Sequence, residues 1–149
     1  MGTRSRIGVM HGNKVKSVYC HWNGGVVDNG AVLQEHYDSG RANNLVALGD
    51  MSVLGKNIEI PADVKHSFDA PAGDITVFYG RDRGEKNTEF RVAQTFDEFL
   101  EQCDGCAAEY YYIMRDGEWY CGTTYENTHP LSRTLTALTE VLATQKEVA

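Results

Sequence analysis

Residues 19 to 30 read YCHWNGGVVDNG, setting a thiol, an imidazole and an indole side by side in Cys20, His21 and Trp22. A second imidazole and a phenol, His36 and Tyr37, follow within a short span. Two imidazoles brought to one pocket can serve as acid and base, or as two metal ligands. Further on, YGRDRGE places Arg81, Asp82 and Arg83 between Gly80 and Gly84, with Glu85 next. Arginine's planar fork suits phosphate or carboxylate, and a carboxylate there could orient a water, a ribose hydroxyl or a metal. An enzyme built from these parts would use His21, His36, Asp82 and Glu85. The plainer alternative is packed histidines and a solvated turn with self-paired ions.

Cysteines offer a third constellation. CDGC gives Cys103 and Cys106 a C-x-x-C spacing, and Cys20 and Cys121 could complete a four-sulfur site. The second half of a zinc motif is missing, so no metal is expected and these cysteines read as small residues at a helix end. No phosphate-binding loop, nucleophile elbow, H-E-x-x-H or dinucleotide fingerprint occurs, and no cofactor is expected. Tyr110, Tyr111, Tyr112, Trp119, Tyr120 and Tyr125 form an aromatic group that could stack a nucleobase, build a sheet or join subunits. The side chains best suited to binding are Trp22, Tyr37, Arg81, Arg83, Tyr111 and Trp119.

The elements that must position these groups are legible in outline. RIGVMHGNKVKSVYCHW reads as a hairpin about Gly12-Asn13, with Val15, Ser17, Tyr19 and His21 on one face of its second strand and Lys16, Val18, Cys20 and Trp22 on the other. GAVLQEHYDSG predicts a short helix, with Asp28 or Asn29 as cap and Gly40 as stop. A second short helix carries Leu45, Val46 and Leu48 and ends at Gly49. Residues 56–73 read as a long surface loop, and residues 75–79 as a strand that breaks at Gly80 into a charged turn. Thr95 and Glu98 form a capping box ahead of a helix bearing Phe96, Phe99 and Leu100. Asp116-Gly117 marks a second hairpin. A C-terminal helix is predicted over about 130–147, opened by Pro130 and striped by Leu131, Leu135, Leu138 and Leu142. The expected class is α+β: one domain over residues 1–149, with a largely antiparallel sheet of two hairpins plus one strand, packed by three to four helices.

At 149 residues the chain can bury a core without disulfide staples, and its 42% apolar and 23% charged content is that of a globular protein. No apolar run approaches a membrane span, and the N-terminus lacks a secretion signal, so a cytoplasmic protein with reduced cysteines is expected. The net charge of −7 disfavours direct nucleic-acid binding, although Arg4 and Arg6 with Lys14 and Lys16, or Arg81 with Arg83, could form local basic patches.

The segments TRSRIGV, VYCHWNG, LQEHY, LVALGDMSVLG, FYGRDRGE, TFDEFL and AEYYYIMRDGEWY, running from about Thr3 to Tyr120, resemble a group of small, functionally uncharacterised proteins of bacteriophages and bacterial genomes. That family's pattern has Asp where this chain has Asn23 and an aromatic where it has Gly25. Were the aspartate a base or metal ligand there, it would be lost here; an Asn-Gly turn would survive. The resemblance implies a viral accessory setting. The expectation is a noncatalytic phage-type protein that binds a host macromolecule or a nucleotide-like ligand, for host takeover or anti-defence. The alternatives are a small hydrolase or nucleotide-modifying enzyme using His21, His36 and the YGRDRGE turn, and a structural homo-oligomer joined by the tyrosine hairpin and leucine stripe.

Overall fold

The computed structural model describes residues 2–125 and 132–148, with no side-chain description beyond residue 144. Strands β1 (Ser5–His11) and β2 (Lys14–Cys20) form the first hairpin. Gly12 alone takes the positive φ, at 62°, that the two-residue turn requires. Chain order continues through a π-helical turn at Val26–Gly30, α1 (Ala31–His36), α2 (Ser39–Ala47), β3 (Met51–Val53), β4 (Val77–Phe78) and α3 (Tyr79–Arg83). Then come β5 (Arg91–Ala93), α4 (Phe96–Gly105), β6 (Tyr110–Arg115), β7 (Glu118–Thr123), β8 (Thr136–Ala137) and α5 (Leu138–Val148). Asp116 and Gly117, at φ 51° and 80°, close the second hairpin between β6 and β7.

The strands make one mixed sheet in the order β4-β3-β2-β1-β6-β7-β8, with β5 also paired to β2. Most pairings are antiparallel, while β1–β6 and β2–β3 are parallel. The class is α+β, as expected. The described sheet has eight strands where the sequence suggested five, because β3, β5 and β8 are two or three residues long and carry no readable alternation.

Both sheet faces are covered. On one, Ile7, Val9, Val18, Cys20, Tyr112 and Trp119 pack against side chains of the π turn, α1, α2 and α5. On the other, Met10, Val15, Tyr111 and Ile113 pack against Phe99, Leu100 and Cys103 of α4. This explains a tyrosine run that one core could not: Tyr111 and Tyr112 point to opposite faces and both are fully buried.

Several boundaries differ from the sequence reading. The helix expected after residue 30 starts earlier, as the π turn, and neither Asp28 nor Asn29 caps it through its side chain. Gly40 does not stop it: the chain is already extended at Tyr37, Asp38 caps α2, and Gly40 lies in the first turn of α2. The expected strand over 75–79 is only Val77–Phe78, since Tyr79 opens a one-turn helix that Gly84 ends at φ 71°. The C-terminal helix begins at Leu138, not near 130. Leu135 packs with the α4 core while Leu138 and Leu142 pack on the opposite face, so the leucine spacing is not one stripe. Pro130 and Leu131 lie outside the described residues. Thr95 does cap α4: Glu98 N–H donates to Thr95 Oγ1 at 3.1 Å, while the Glu98 carboxylate accepts from Gln94 N–H, one residue before the N–H that a full capping box would use.

Candidate functional site

The CHW segment ends β2, and two backbone bonds hold its exit. His21 N–H donates to the Met51 carbonyl and Trp22 N–H to that of Ser52, so β3 guides the chain off the sheet. Asn23 then turns it at φ 59°. Gly24 is fixed from two sides, donating to the Thr3 carbonyl and accepting from the Tyr112 hydroxyl at 2.6 Å.

Period-two geometry puts Tyr19 and His21 on one face of the strand, and Tyr19 Oη lies 2.6 Å from His21 Nδ1. Burial pushes the Tyr19 phenol up to about 12, with Arg4 opposing the shift. The Tyr19 hydroxyl and His21 Nδ1 share one hydrogen bond, and His21 Nε2 has no protein partner among the described residues. The Trp22 indole meets the imidazole edge-on, with ring centroids 4.8 Å apart, and is 42% exposed. Together with Gly2, Arg4, Ala107 and Glu109 these two rings line a hollow of about 350 Å³. The Arg4 side chain is exposed and makes no hydrogen bond or ion pair with the described residues. Beneath the site Asp50 accepts from Tyr19 N–H at 2.8 Å, and burial raises its carboxyl above the ordinary range against the pull of that bond and of Arg6. Cation, open imidazole nitrogen and exposed indole thus share one end of the sheet.

His36 is elsewhere. It lines a different hollow, of about 410 Å³, with Gln34, Asp38 and Trp119, and its Nε2 lies 3.6 Å from the Glu35 carboxylate. His21 and His36 line different hollows.

The YGRDRGE turn is a clamp. The Asp82 side chain is 2% exposed and accepts from Arg81 Nε at 2.9 Å, Phe78 N–H at 2.8 Å and His66 Nε2 at 3.2 Å. Burial alone would raise its carboxyl, but the hydrogen bonds from Arg81, Phe78 and His66 outweigh it and hold the group below the usual range. Arg81 spends its remaining donors on the carbonyls of Ile58 and Thr76. His66 Nδ1 accepts from Ala72 N–H at 3.0 Å, so the ring is neutral with its hydrogen on Nε2. These bonds tie the long loop over residues 56–73 to α3. Arg83 pairs with Glu85 at 2.9 Å and lies 4.4 Å over the Phe68 ring.

Other binding candidates are core residues. Tyr37 is buried and donates to the Gly55 carbonyl, Trp119 donates through Nε1 to the Tyr37 carbonyl at 2.8 Å, and Tyr111 donates to the Thr134 carbonyl. The four cysteines are free and do not converge: Cys20 and Cys121 belong to one core, Cys103 to the other. Among the described residues no group of three His, Cys, Asp or Glu is placed to hold a metal. No described helix is long and apolar enough to cross a membrane.

Sequence reading placed Arg4 only in a diffuse basic patch and missed Tyr19 as the partner of His21, although the i, i+2 spacing carried that signal. Asp50 and His66 had no local signal, since their partners are 31 and 16 residues away. Comparison of the chain with protein-family models, with curated proteins and with solved structures gives no match.

Proposed function

We propose that this protein is a noncatalytic binding module whose ligand is planar and anionic, of the nucleotide kind, and seats at the sheet end formed by Arg4, His21 and Trp22. What carries the reading is Trp22: an indole left 42% exposed in a hollow that also holds a guanidinium and an imidazole Nε2 without partners among the described residues. An exposed indole offers a stacking face for a base, while Arg4 and, with its hydrogen on Nε2, His21 offer charge-assisted hydrogen bonds to a phosphate. The other groups that could have run acid–base chemistry are spent or apart, Asp82 in its clamp and His36 in a separate hollow. The phage accessory setting, with a host macromolecule as the wider target, rests on the segment resemblance alone.

Trp22 supplies its own reporter, because the second tryptophan, Trp119, is 4% exposed. Titration with nucleoside mono- and triphosphates should quench the exposed tryptophan emission saturably. Trp22→Ala should remove the signal, and Arg4→Ala should weaken the apparent affinity about tenfold, a charge-assisted contact's worth. Absence of saturable quenching by any nucleotide up to millimolar concentration would overturn the ligand class.

A further inference from the structure

Glu109 lines the same hollow as Arg4, yet no ion pair joins the two side chains. The residues are neighbours through the backbone, Glu109 N–H donating to the Arg4 carbonyl at 2.8 Å. From the other side the Glu109 carbonyl accepts from Thr123 Oγ1 at 2.6 Å and from Thr124 N–H at 3.1 Å. The side chain is held as well, since the Tyr125 hydroxyl donates to Glu109 Oε1. The carboxylate in turn pushes the Tyr125 phenol up to about 12, which keeps that hydroxyl a donor at neutral pH. Oε2 has no partner among the described residues.

Opposite charges that share a hollow without meeting suit a ligand that spans them. A purely anionic ligand would be repelled by Glu109, so one that sets a phosphate on Arg4 must turn hydrogen-bond donors toward the carboxylate. Nucleobases differ in what they offer there. Guanine carries two adjacent donors on its Watson–Crick edge, N1–H and the N2 amino group, which match the two oxygens of a carboxylate. Adenine and cytosine set an acceptor nitrogen beside the amino group, and uracil flanks its one N–H with carbonyls, so each turns a lone pair toward Glu109. The hollow, about 350 Å³, falls within the roughly 300–1,000 Å³ of small-molecule sites.

We infer that the ligand of this sheet end is a guanine nucleotide, selected by the Glu109 carboxylate. The inference rests on the nucleotide reading of the Arg4–His21–Trp22 hollow. Trp22 stacks the base, Arg4 takes the phosphate, and Glu109 accepts from N1–H and the N2 amino group. Tyr125 is a positioning residue: it occupies one lone pair of Oε1 and leaves the other, with the whole of Oε2, to the base.

The test is equilibrium dialysis of the wild-type protein against guanosine, inosine and adenosine monophosphates. The guanosine nucleotide should bind at least about tenfold more tightly than the inosine one, which lacks the N2 amino group, and the adenosine nucleotide should bind more weakly still. Glu109→Gln should bring the three affinities to within about twofold of one another, and Tyr125→Phe should narrow the preference without abolishing binding. Were Glu109→Gln to fail to fold, the wild-type ranking alone decides. Equal wild-type affinities would overturn the guanine assignment while the nucleotide reading stands. A preference that survives in folded Glu109→Gln would overturn the role of Glu109. No binding of any of the three at millimolar concentration would overturn the nucleotide reading itself, and this inference with it.

Discussion

Two regions of this molecule bring together arginine, histidine and a carboxylic acid, and they have opposite characters. In the Arg81–Asp82–His66 clamp both imidazole nitrogens are engaged, and Asp82 accepts from three groups with 2% of its side chain exposed. At the sheet end, among the described residues, Arg4 has no side-chain partner and His21 engages only Nδ1, and Trp22 stands half-exposed. A charged motif is thus a poor guide to a site until its hydrogen bonds are counted. Saturated groups hold the chain, and open ones are free to meet a ligand.

The contrast breaks most sharply at Asp82. Asp82→Ala should destabilise the protein by about 3 kcal/mol in denaturant unfolding, because it strands a partly buried guanidinium, a backbone N–H and His66 Nε2. Folded protein that remains should keep its Trp22 quenching. The same carboxylate sets an acid limb. Its folded-state value lies below the unfolded one, so its stabilising contribution is complete above the unfolded value of about 4 and is lost as pH falls through the folded value. Asp82→Asn should flatten unfolding curves measured below pH 4, and an unchanged acid limb would mean that the clamp is not charged as described.

His66→Ala should cost about 2 kcal/mol, since both ring nitrogens lose buried partners, and limited proteolysis should then cut within residues 56–73. A protease-resistant loop in that variant would show that the clamp does not hold it. Asn23→Ala should cost about 1 kcal/mol through its positive φ, whereas Asn23→Asp or Asn23→Gly should be close to neutral by thermal melting. Trp22→Ala should have the smallest effect on stability, about 1 kcal/mol or less, while abolishing ligand-dependent fluorescence. A large stability loss there would make Trp22 another core aromatic and erase the distinction between the regions.

Local chemistry made much of the fold legible. The Gly12-Asn13 and Asp116-Gly117 turns, the Thr95 cap and the stop at Gly49 all follow from preferences that act over two to four residues. The alternation in β2 even placed Tyr19 beside His21. Misreadings arose where a second element overrides the local rule. Gly40 is a good helix stop in isolation, but Asp38 restarts the helix with a side-chain acceptor for Arg41 N–H. Leu135 and Leu138 have helical spacing, yet the chain crosses from one sheet face to the other between them.

By itself the sequence determined the hairpins, the α+β class and the crowding of His21 and Trp22 at a strand exit, because turns and strand faces depend on near neighbours. The tertiary structure alone decided which polar groups are spent. His66 reaches Asp82 from a loop 16 residues away, and Arg6 meets Cys106 across 100 residues. Burial and partners at such separations leave no periodic trace, so the clamp looked like a site and the open guanidinium of Arg4 looked like surface.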